Sequence, residues 1–117
     1  MWQVITTEFF DEWYLAQETE LRRTVLASMA LLEMYGPQLG RPYADTVKGS
    51  VFNNMKELRV QYKGNPIRAF FAFDPAQQAI VLCAGDKTGL NEQKFYKNML
   101  KVADSEFQKH LDNLKRK

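Results

Sequence analysis

The sequence lacks the features on which several large protein classes depend. It has one cysteine, Cys83, in 117 residues, so it cannot build an intramolecular disulfide framework or a thiolate zinc cluster. It has no run of about 18 apolar residues, which argues against a transmembrane helix. It also has no glycine-rich phosphate loop, zinc motif or serine–histidine–aspartate arrangement, so NTPases, metallohydrolases and serine hydrolases are set aside. We therefore predict neither a metal nor a cofactor.

The remaining composition is typical of one small folded domain. Hydrophobic residues make up 45% of the chain and charged residues 26%, which argues against disorder and predicts a single domain over residues 1–117. A lone cysteine fits a reducing cytoplasm. The N-terminus carries acidic residues and no basic stretch, so we expect no signal peptide. These features together predict a cytoplasmic protein without a membrane partner.

The net charge of +2 conceals two unlike parts of the chain. Residues 1–35 contain two basic and six acidic side chains, a net charge of −4, whereas residues 36–117 contain 14 basic and 8 acidic ones, a net charge of +6. A basic second part suggests a polyanionic partner such as nucleic acid. The acidic first part suggests either a solvated helical face or a basic partner.

Hydrophobic periodicity, caps and turn residues predict seven elements. They are a short strand at 2–6, helices over 8–16 and 19–35, strands over 56–62, 67–73 and 79–84, and a final helix over 91–114. Thr7 is the expected N-cap of the first helix, and Gly36 followed by proline is expected to end the second. The order β-α-α-β-β-β-α predicts an α+β fold, in which two N-terminal helices and a long C-terminal helix pack on a small antiparallel-rich sheet. We expect the helices to cover one face and leave the other partly open.

Three cations are expected to converge on this open face. Arg59 and Arg68 lie on two adjacent predicted strands, and Lys87 follows the third at even spacing from Val81 and Cys83. If the apolar rows face the helices, the three cations project together. An arginine fork matches phosphate oxygens and can stabilise a pentavalent phosphorane. The alternative is that these are ordinary solvated charges on a half-exposed sheet.

Several short segments, spread over nearly the whole chain, form a specific combination. They are GPQLGRP at 36–42, Asp45, KGS at 48–50, NMKELR at 54–59, RAFFAFD at 68–74, AGDKTG at 84–89 and KFY at 94–96. Together, and in this order, they resemble the HigB-like branch of the RelE/ParE toxin superfamily, a branch that includes phage-encoded members. The resemblance implies a RelE-like fold with the element order predicted above.

The resemblance also implies a function and a set of partners. It implies the toxin of a type II toxin–antitoxin system: a metal-independent messenger-RNA endonuclease, acting mainly on the translating ribosome, that leaves a 2′,3′-cyclic phosphate end. The implied partners are mRNA, the ribosome and a cognate, HigA-like helix-turn-helix antitoxin, with operator DNA contacted only through the toxin–antitoxin complex. Two alternatives stay open, a ParE-like gyrase inhibitor and a catalytically silent, toxin-derived binding module.

Carried onto this chain, the family pattern makes Arg59, Arg68 and Lys87 catalytic candidates. For the acid or base the chain departs from many relatives, which use a tyrosine or histidine near the C-terminus, and Tyr96 near the start of the last helix is the fourth candidate. The two arginines would stabilise the transition state, and Lys87 would position the phosphate or transfer a proton. Tyr96 or His110 could supply an acid or base, but they lie about 20 Å apart along a helix, so we do not expect both at one site. The alternatives are that Tyr96 packs in the core and that His110 is a partly exposed helical side chain.

Four further residues are candidates for RNA contact, namely Lys56, Phe70, Lys94 and Lys97. Phe70 lies on the presumed open face, where it could stack on a base. Lys94 and Lys97 form a basic ridge with Lys101 on the last helix. These lysines could hold RNA electrostatically or could simply solvate the helix.

Overall fold

One five-stranded sheet organises the molecule, which is described by a computed structural model over residues 1–116; Lys117, the end of the predicted domain, lies outside them. The elements are β1 Gln3–Thr6, α1 Glu8–Leu15, α2 Thr19–Tyr35, a 3₁₀ turn Gly36–Gln38, β2 Ala44–Thr46, β3 Lys56–Tyr62, β4 Asn65–Phe73, β5 Gln78–Asp86 and α3 Glu92–Lys115. The strand order is β1-β5-β4-β3-β2, with β1 parallel to β5 and the other pairs antiparallel. The predicted α+β fold and element order are confirmed; β2 and the 3₁₀ turn are additional elements.

Local signals in the sequence account for the start of α1 and for the end of α2. The hydroxyl of Thr7 accepts a hydrogen bond from the amide of Phe10 at 3.1 Å, which makes it the N-cap of α1. The same hydroxyl donates to the carbonyl of Leu82 at 2.8 Å, so the cap also ties α1 to β5. Helix α2 ends at Gly36, whose φ of 54° suits glycine and interrupts the helix.

Helices cover both faces of the sheet, which corrects the expectation of a partly open face. Helices α1 and α2 pack on the side that carries Leu58 and Phe71. Helix α3 crosses the opposite side, where Phe95 packs against Phe70 and Phe107 belongs to the same apolar cluster. The physical reason is that both side-chain rows of β4 are apolar, so each row needs cover. Helix α3 therefore covers the face of the sheet that was predicted to be catalytic.

A bulge between β4 and β5 decides which way the end of β5 points. Phe70 pairs with Cys83 whereas Phe71 pairs with Val81, so Leu82 is an extra residue. Val81 faces α1 and α2, but Leu82 and Cys83 both face α3. The bulge thus reverses the alternation that grouped Val81 with Cys83, and it turns the strand end that leads to Lys87 towards α3.

The long helix α3 is amphipathic and rests on the sheet. Its buried residues Phe95, Leu100, Ala103 and Phe107 recur at three- to five-residue steps. Asn91 caps its first turn by accepting a hydrogen bond from the amide of Lys94 at 3.0 Å. In residues 1–116, no helix is both long and apolar enough to cross a membrane.

Of the glycines in the chain, Gly36 has the least room for a side chain, and it gives a direct test of the fold. A Cβ built on Gly36 would lie 2.2 Å from Nε1 of Trp2, whose ring packs edge-on against Phe73. Because Gly36 also has positive φ, we expect Gly36→Ala to lower the free energy of unfolding by about 3 kcal/mol. Gly40→Ala is the control, since no atom lies within 4 Å of its added Cβ. Urea denaturation measures both, and equal losses would contradict this account.

Candidate active site

Six polar side chains meet beneath the first turns of α3, and we call them the Glu57 cluster. Its members are Glu57, Arg59, Arg68, Lys87, Glu92 and Tyr96. Strands β3 and β4 place Arg59 directly opposite Arg68, while Lys87 comes from the end of β5 and Tyr96 from α3. The structure therefore brings together all four residues predicted to be catalytic.

The carboxylate of Glu57 connects the cluster and is almost completely buried, with 5% of its side chain exposed. It accepts a hydrogen bond from Nη1 of Arg59 at 2.8 Å and one from the hydroxyl of Tyr96 at 2.6 Å. Nε of Arg68 lies 3.8 Å from the same oxygen that Tyr96 contacts. A buried carboxylate requires such partners, because an isolated charge would be expensive to remove from water.

Arg68 is buried beneath α3 rather than displayed on an open sheet, with only 5% of its side chain exposed. Its Nη1 donates to the carbonyl of Ile67 at 3.1 Å. Within the described part of the chain, its Nε–H is the buried side-chain donor that has no hydrogen-bond partner. A buried donor left unpaired is costly, so this N–H is available to an oxygen that enters the cluster.

The ring and the hydroxyl of Tyr96 lie in different surroundings. Its ring packs edge-on against Phe70, with centroids 5.8 Å apart, while its hydroxyl enters the cluster. Burial, followed by the hydrogen bond and charge of Glu57, raises the pKa of Tyr96 to about 12. The phenol is consequently protonated at neutral pH and acts as a donor. Nζ of Lys87 lies 5.4 Å from the centre of its ring.

Glu92 occupies the mouth of the cluster as an exposed counterion. Its carboxylate lies 2.7 Å from Nζ of Lys87, and 70% of the Glu92 side chain is exposed. The hydrogen bond and charge of Lys87 lower the pKa of Glu92, and the charges of Arg68 and Arg59 act in the same direction. The position thus attracts negative charge, and here the chain fills it with its own carboxylate.

A cleft of about 540 Å³ opens directly onto the cluster. Its lining residues include Glu57, Glu92 and Tyr96 of the cluster, together with Val47 and Lys48. A ligand in this cleft could reach the buried carboxylate and the phenol. Among residues 1–116, no three histidine, cysteine or acidic side chains are grouped so that they could hold a metal ion.

The structure places two of the predicted RNA-contacting residues away from the cleft. Phe70 is fully buried against Phe95 and Tyr96, so the expectation that it stacks on a base is wrong. Lys56 pairs across the sheet with Phe71 and shares its face, opposite the face of Glu57. Both side-chain rows of β4 are apolar, so the sequence pattern did not show that Phe70 is buried or that Lys56 lies on the other face of the sheet.

The two remaining lysines lie on the exposed side of α3. Lys97 lines a second cavity of about 500 Å³ next to the cleft. Lys94 lines a separate cavity together with Gly85 and Asp86. The basic ridge predicted on this helix therefore divides between two different surfaces.

His110 belongs to a different part of the molecule. Its Nε2 lies 2.7 Å from a buried carboxylate oxygen of Asp74, and its ring stacks on Phe107. This pair fastens the C-terminal half of α3 to the turn between β4 and β5. Of the two predicted acid–base candidates, the Glu57 cluster contains Tyr96 and not His110.

Sequence reasoning assigned no role to the two carboxylates of the cluster. A signal for Glu57 was present, because strand alternation puts it on the same face as Arg59. Glu92 gave no such signal, since an acidic residue in the first turn of a helix is common for electrostatic reasons. Only the fold shows that it reaches Lys87.

The Asp74–His110 contact predicts a pH-dependent contribution to stability. Burial opposes ionisation of Asp74, but hydrogen bonds from His110, Gln78 and the amide of Ala76 outweigh it and lower the pKa of Asp74. A lowered carboxyl pKa stabilises the fold above the unfolded value of about 3.9 and loses this effect as the pH falls through the folded value. We expect Asp74→Asn to reduce the free energy of unfolding by about 2 kcal/mol at pH 7, and by much less near pH 3.

Urea denaturation at the two pH values measures this difference. Asp112→Asn is the matched control, because Asp112 is an exposed aspartate on α3, the helix of His110, and accepts a hydrogen bond from Gln108. It should change stability little at either pH. A loss for Asp74→Asn that is as large at pH 3 as at pH 7 would contradict the assignment.

Comparison with known proteins identifies relatives over most of the chain. The family described as "Phage derived protein Gp49-like (DUF891)" matches residues 12–108. Two Mycobacterium tuberculosis proteins with toxin names, HigB3 and HigB2, are also similar. HigB3 is 46% identical over 101 residues, which cover 86% of this chain and 86% of HigB3. HigB2 is 45% identical over 105 residues, which cover 89% of this chain and 52% of HigB2.

Two solved structures share the fold. The archaeal RelE–RelB complex from Pyrococcus horikoshii OT3 superposes with a TM-score of 0.55 and 12% identity, covering 75% of this chain and 97% of the matched chain. The isolated Escherichia coli RelE toxin superposes with a TM-score of 0.58 and 9% identity, covering 86% and 97% respectively. At such low identity the similarity concerns the fold and does not extend to individual side chains.

Proposed function

This chain belongs to the phage-derived Gp49-like family, within the HigB-like branch of the RelE/ParE toxins, and from that premise we propose that it is a toxin that cleaves messenger RNA on the translating ribosome. The observation that carries the proposal is the Glu57 cluster. It combines three cations for a phosphate with a carboxylate and a phenol for proton transfer, and the carboxylate and the phenol line an accessible cleft. These are the groups required for RNA cleavage by the ribose 2′-hydroxyl.

The cations would bind the scissile phosphate. Arg68 offers its unpartnered Nε–H from a buried position, and Arg59 lies directly across the strand pair. Lys87 is held at the mouth by Glu92, and an entering phosphate would replace that carboxylate. Because charge accumulates on the phosphorane, preorganised cations in a water-poor site stabilise the transition state more than the ground state. The charge stabilisation in this mechanism comes from side chains and requires no metal ion.

Glu57 and Tyr96 would move the protons. As RNA enters, the Tyr96 hydroxyl turns from Glu57 towards the leaving 5′-oxygen, which frees a carboxylate oxygen. Glu57 accepts the 2′-hydroxyl proton while the 2′-oxygen bonds to phosphorus, and Tyr96 protonates the 5′-oxygen as the P–O5′ bond breaks. The products are a 2′,3′-cyclic phosphate and a 5′-hydroxyl. Proton transfer back across the 2.6 Å Glu57–Tyr96 hydrogen bond restores both groups.

The ribosome and an antitoxin are the proposed macromolecular partners. The excess positive charge after residue 35 suits association with ribosomal RNA, and a ribosomal target would place the activity in the cytoplasm. The archaeal RelE that shares the fold was crystallised with RelB, which supports a cognate antitoxin for this chain. We propose a HigA-like helix-turn-helix antitoxin, with operator DNA bound through the complex.

The acid role of Tyr96 predicts a loss of rate without a loss of fold. Tyr96→Phe keeps the ring packed against Phe70 and removes only the hydroxyl, so single-turnover cleavage of ribosome-bound mRNA should slow by about 10²–10⁴-fold. Tyr62→Phe is the control, because this hydroxyl bonds to Glu18 on the surface, outside the cluster. Quantifying cleaved mRNA over time gives the rates. Unchanged cleavage by Tyr96→Phe would remove Tyr96 from the mechanism.

Substitution of Arg68 tests the proposed nuclease function itself. We expect brief induction of the wild-type chain in a bacterium to create new RNA 5′ ends inside translated frames. Arg68→Lys keeps a buried cation but cannot reproduce the arginine fork, and it should reduce these ends by at least about tenfold. Circular dichroism and expression levels control for folding. Growth arrest with DNA-damage signalling and no new RNA ends would overturn the nuclease and favour gyrase as the target.

A further inference from the structure

A groove extends from the Glu57 cluster along one side of α3, and we call it the α3 groove. It consists of the cleft of about 540 Å³ at the cluster and the adjoining cavity of about 500 Å³, which share Lys48, Gln93 and Tyr96 as lining residues. The second cavity continues to Asp104. From Glu92 to Asp104 the helical rise gives a length of about 18 Å, which exceeds the size of a single phosphate group.

The wall of the groove opposite α3 is the segment 47–50, and it is fixed in place. Ser50 donates a hydrogen bond to Asp104 at 2.5 Å, and the amide of Val51 donates to the other oxygen of the same carboxylate at 3.2 Å. Gly49 has a φ of 99°, and a Cβ there would lie 3.4 Å from Leu100. The segment therefore approaches the helix closely, and the groove is formed before any ligand binds.

The lysines of the groove form no ion pairs within residues 1–116. Lys48, Lys97 and Lys101 line it, all three are exposed, and in residues 1–116 none has a carboxylate within ion-pair distance. The three acidic side chains of the groove already have other partners: Glu57 contacts the arginines, Glu92 contacts Lys87, and Asp104 accepts hydrogen bonds from Ser50 and the amide of Val51. An anionic chain in the groove would meet three free cations.

We infer that the α3 groove holds the substrate RNA strand next to the cleavage point, with Lys48, Lys97 and Lys101 on its phosphates. The inference rests on the proposed nuclease function and names residues that position the substrate. Continuity with the cluster is what selects the substrate strand, because Glu57 and Tyr96, the two proposed proton-transfer groups, line the cleft that joins the rest of the groove. The floor includes Tyr96 and Leu100, whose apolar surfaces suit a ribose or base.

We expect lysines on the groove side of α3 to matter more for RNA binding than Lys94, which lines a different cavity. Lys48→Ala, Lys97→Ala and Lys101→Ala should each raise KM for ribosome-bound mRNA by about threefold or more, leave kcat unchanged and lower the salt dependence of binding by about 0.7 in slope. Lys109→Ala removes the same charge from the same helix outside the groove and serves as the control. Lys94→Ala should have a smaller effect than the groove variants, since it lines a different cavity.

A cross-linking experiment identifies the strand in the groove. Ribosomes carrying mRNA with 4-thiouridine near the cleavage point are irradiated with Tyr96→Phe protein, and the cross-linked peptides are mapped by mass spectrometry. Adducts on residues 47–51 or 97–101 support the inference. Adducts confined to the Lys94 side, or KM values equal for groove and control variants, would overturn it. If the wild type cleaves mRNA in either case, the proposed function stands; a wild type that never cleaves would overturn that function instead.

Discussion

The burial of the Glu57 carboxylate is the constraint around which the cluster is built. Two arginines on adjacent strands and a tyrosine from α3 are its partners, and removing one partner from a buried ion pair typically costs about 3–5 kcal/mol. The same contacts hold the arginines in one geometry and add to the effect of burial in raising the pKa of Tyr96. A single buried charge thus links the stability of the sheet to the chemistry that its face can support.

Helix α3 has two functions that depend on different parts of its length. Its C-terminal half is fastened by the Asp74–His110 contact and by apolar packing. Its first turns cover the cluster and contribute Tyr96 and Glu92 to it, and Glu92 is mostly exposed. In the proposed mechanism, the anchored half would hold Tyr96 in a precise position, while the exposed counterion at the other end would be exchanged for an incoming anion with little disturbance of the core.

The sequence predicted what local rules decide, and it failed where long-range packing decides. The cap at Thr7 and the stop at Gly36 are set by neighbouring residues, so the helix ends were correctly placed. Which face α3 covers depends on which apolar face of the sheet the other helices leave exposed. Because the side chains on both faces of β4 are apolar, the sequence pattern does not decide this. The role of Phe70 was wrong for this reason. The bulge at Leu82 and the reach of Glu92 to Lys87 depend on tertiary contacts that periodicity cannot express.

The parallel pairing of β1 with β5 has a consequence for the order in which the molecule can assemble. The contact between Thr7 and Leu82 joins residues 75 positions apart, and Lys87 and Tyr96 are made later still. A chain emerging from the ribosome can form α1 and α2 early, but it cannot close the sheet until β5 has emerged. The arginines on β3 and β4 therefore precede the groups that complete their site. In the proposed function, an activity against ribosomes would be absent from the nascent chain until β5 and the first turns of α3 have emerged.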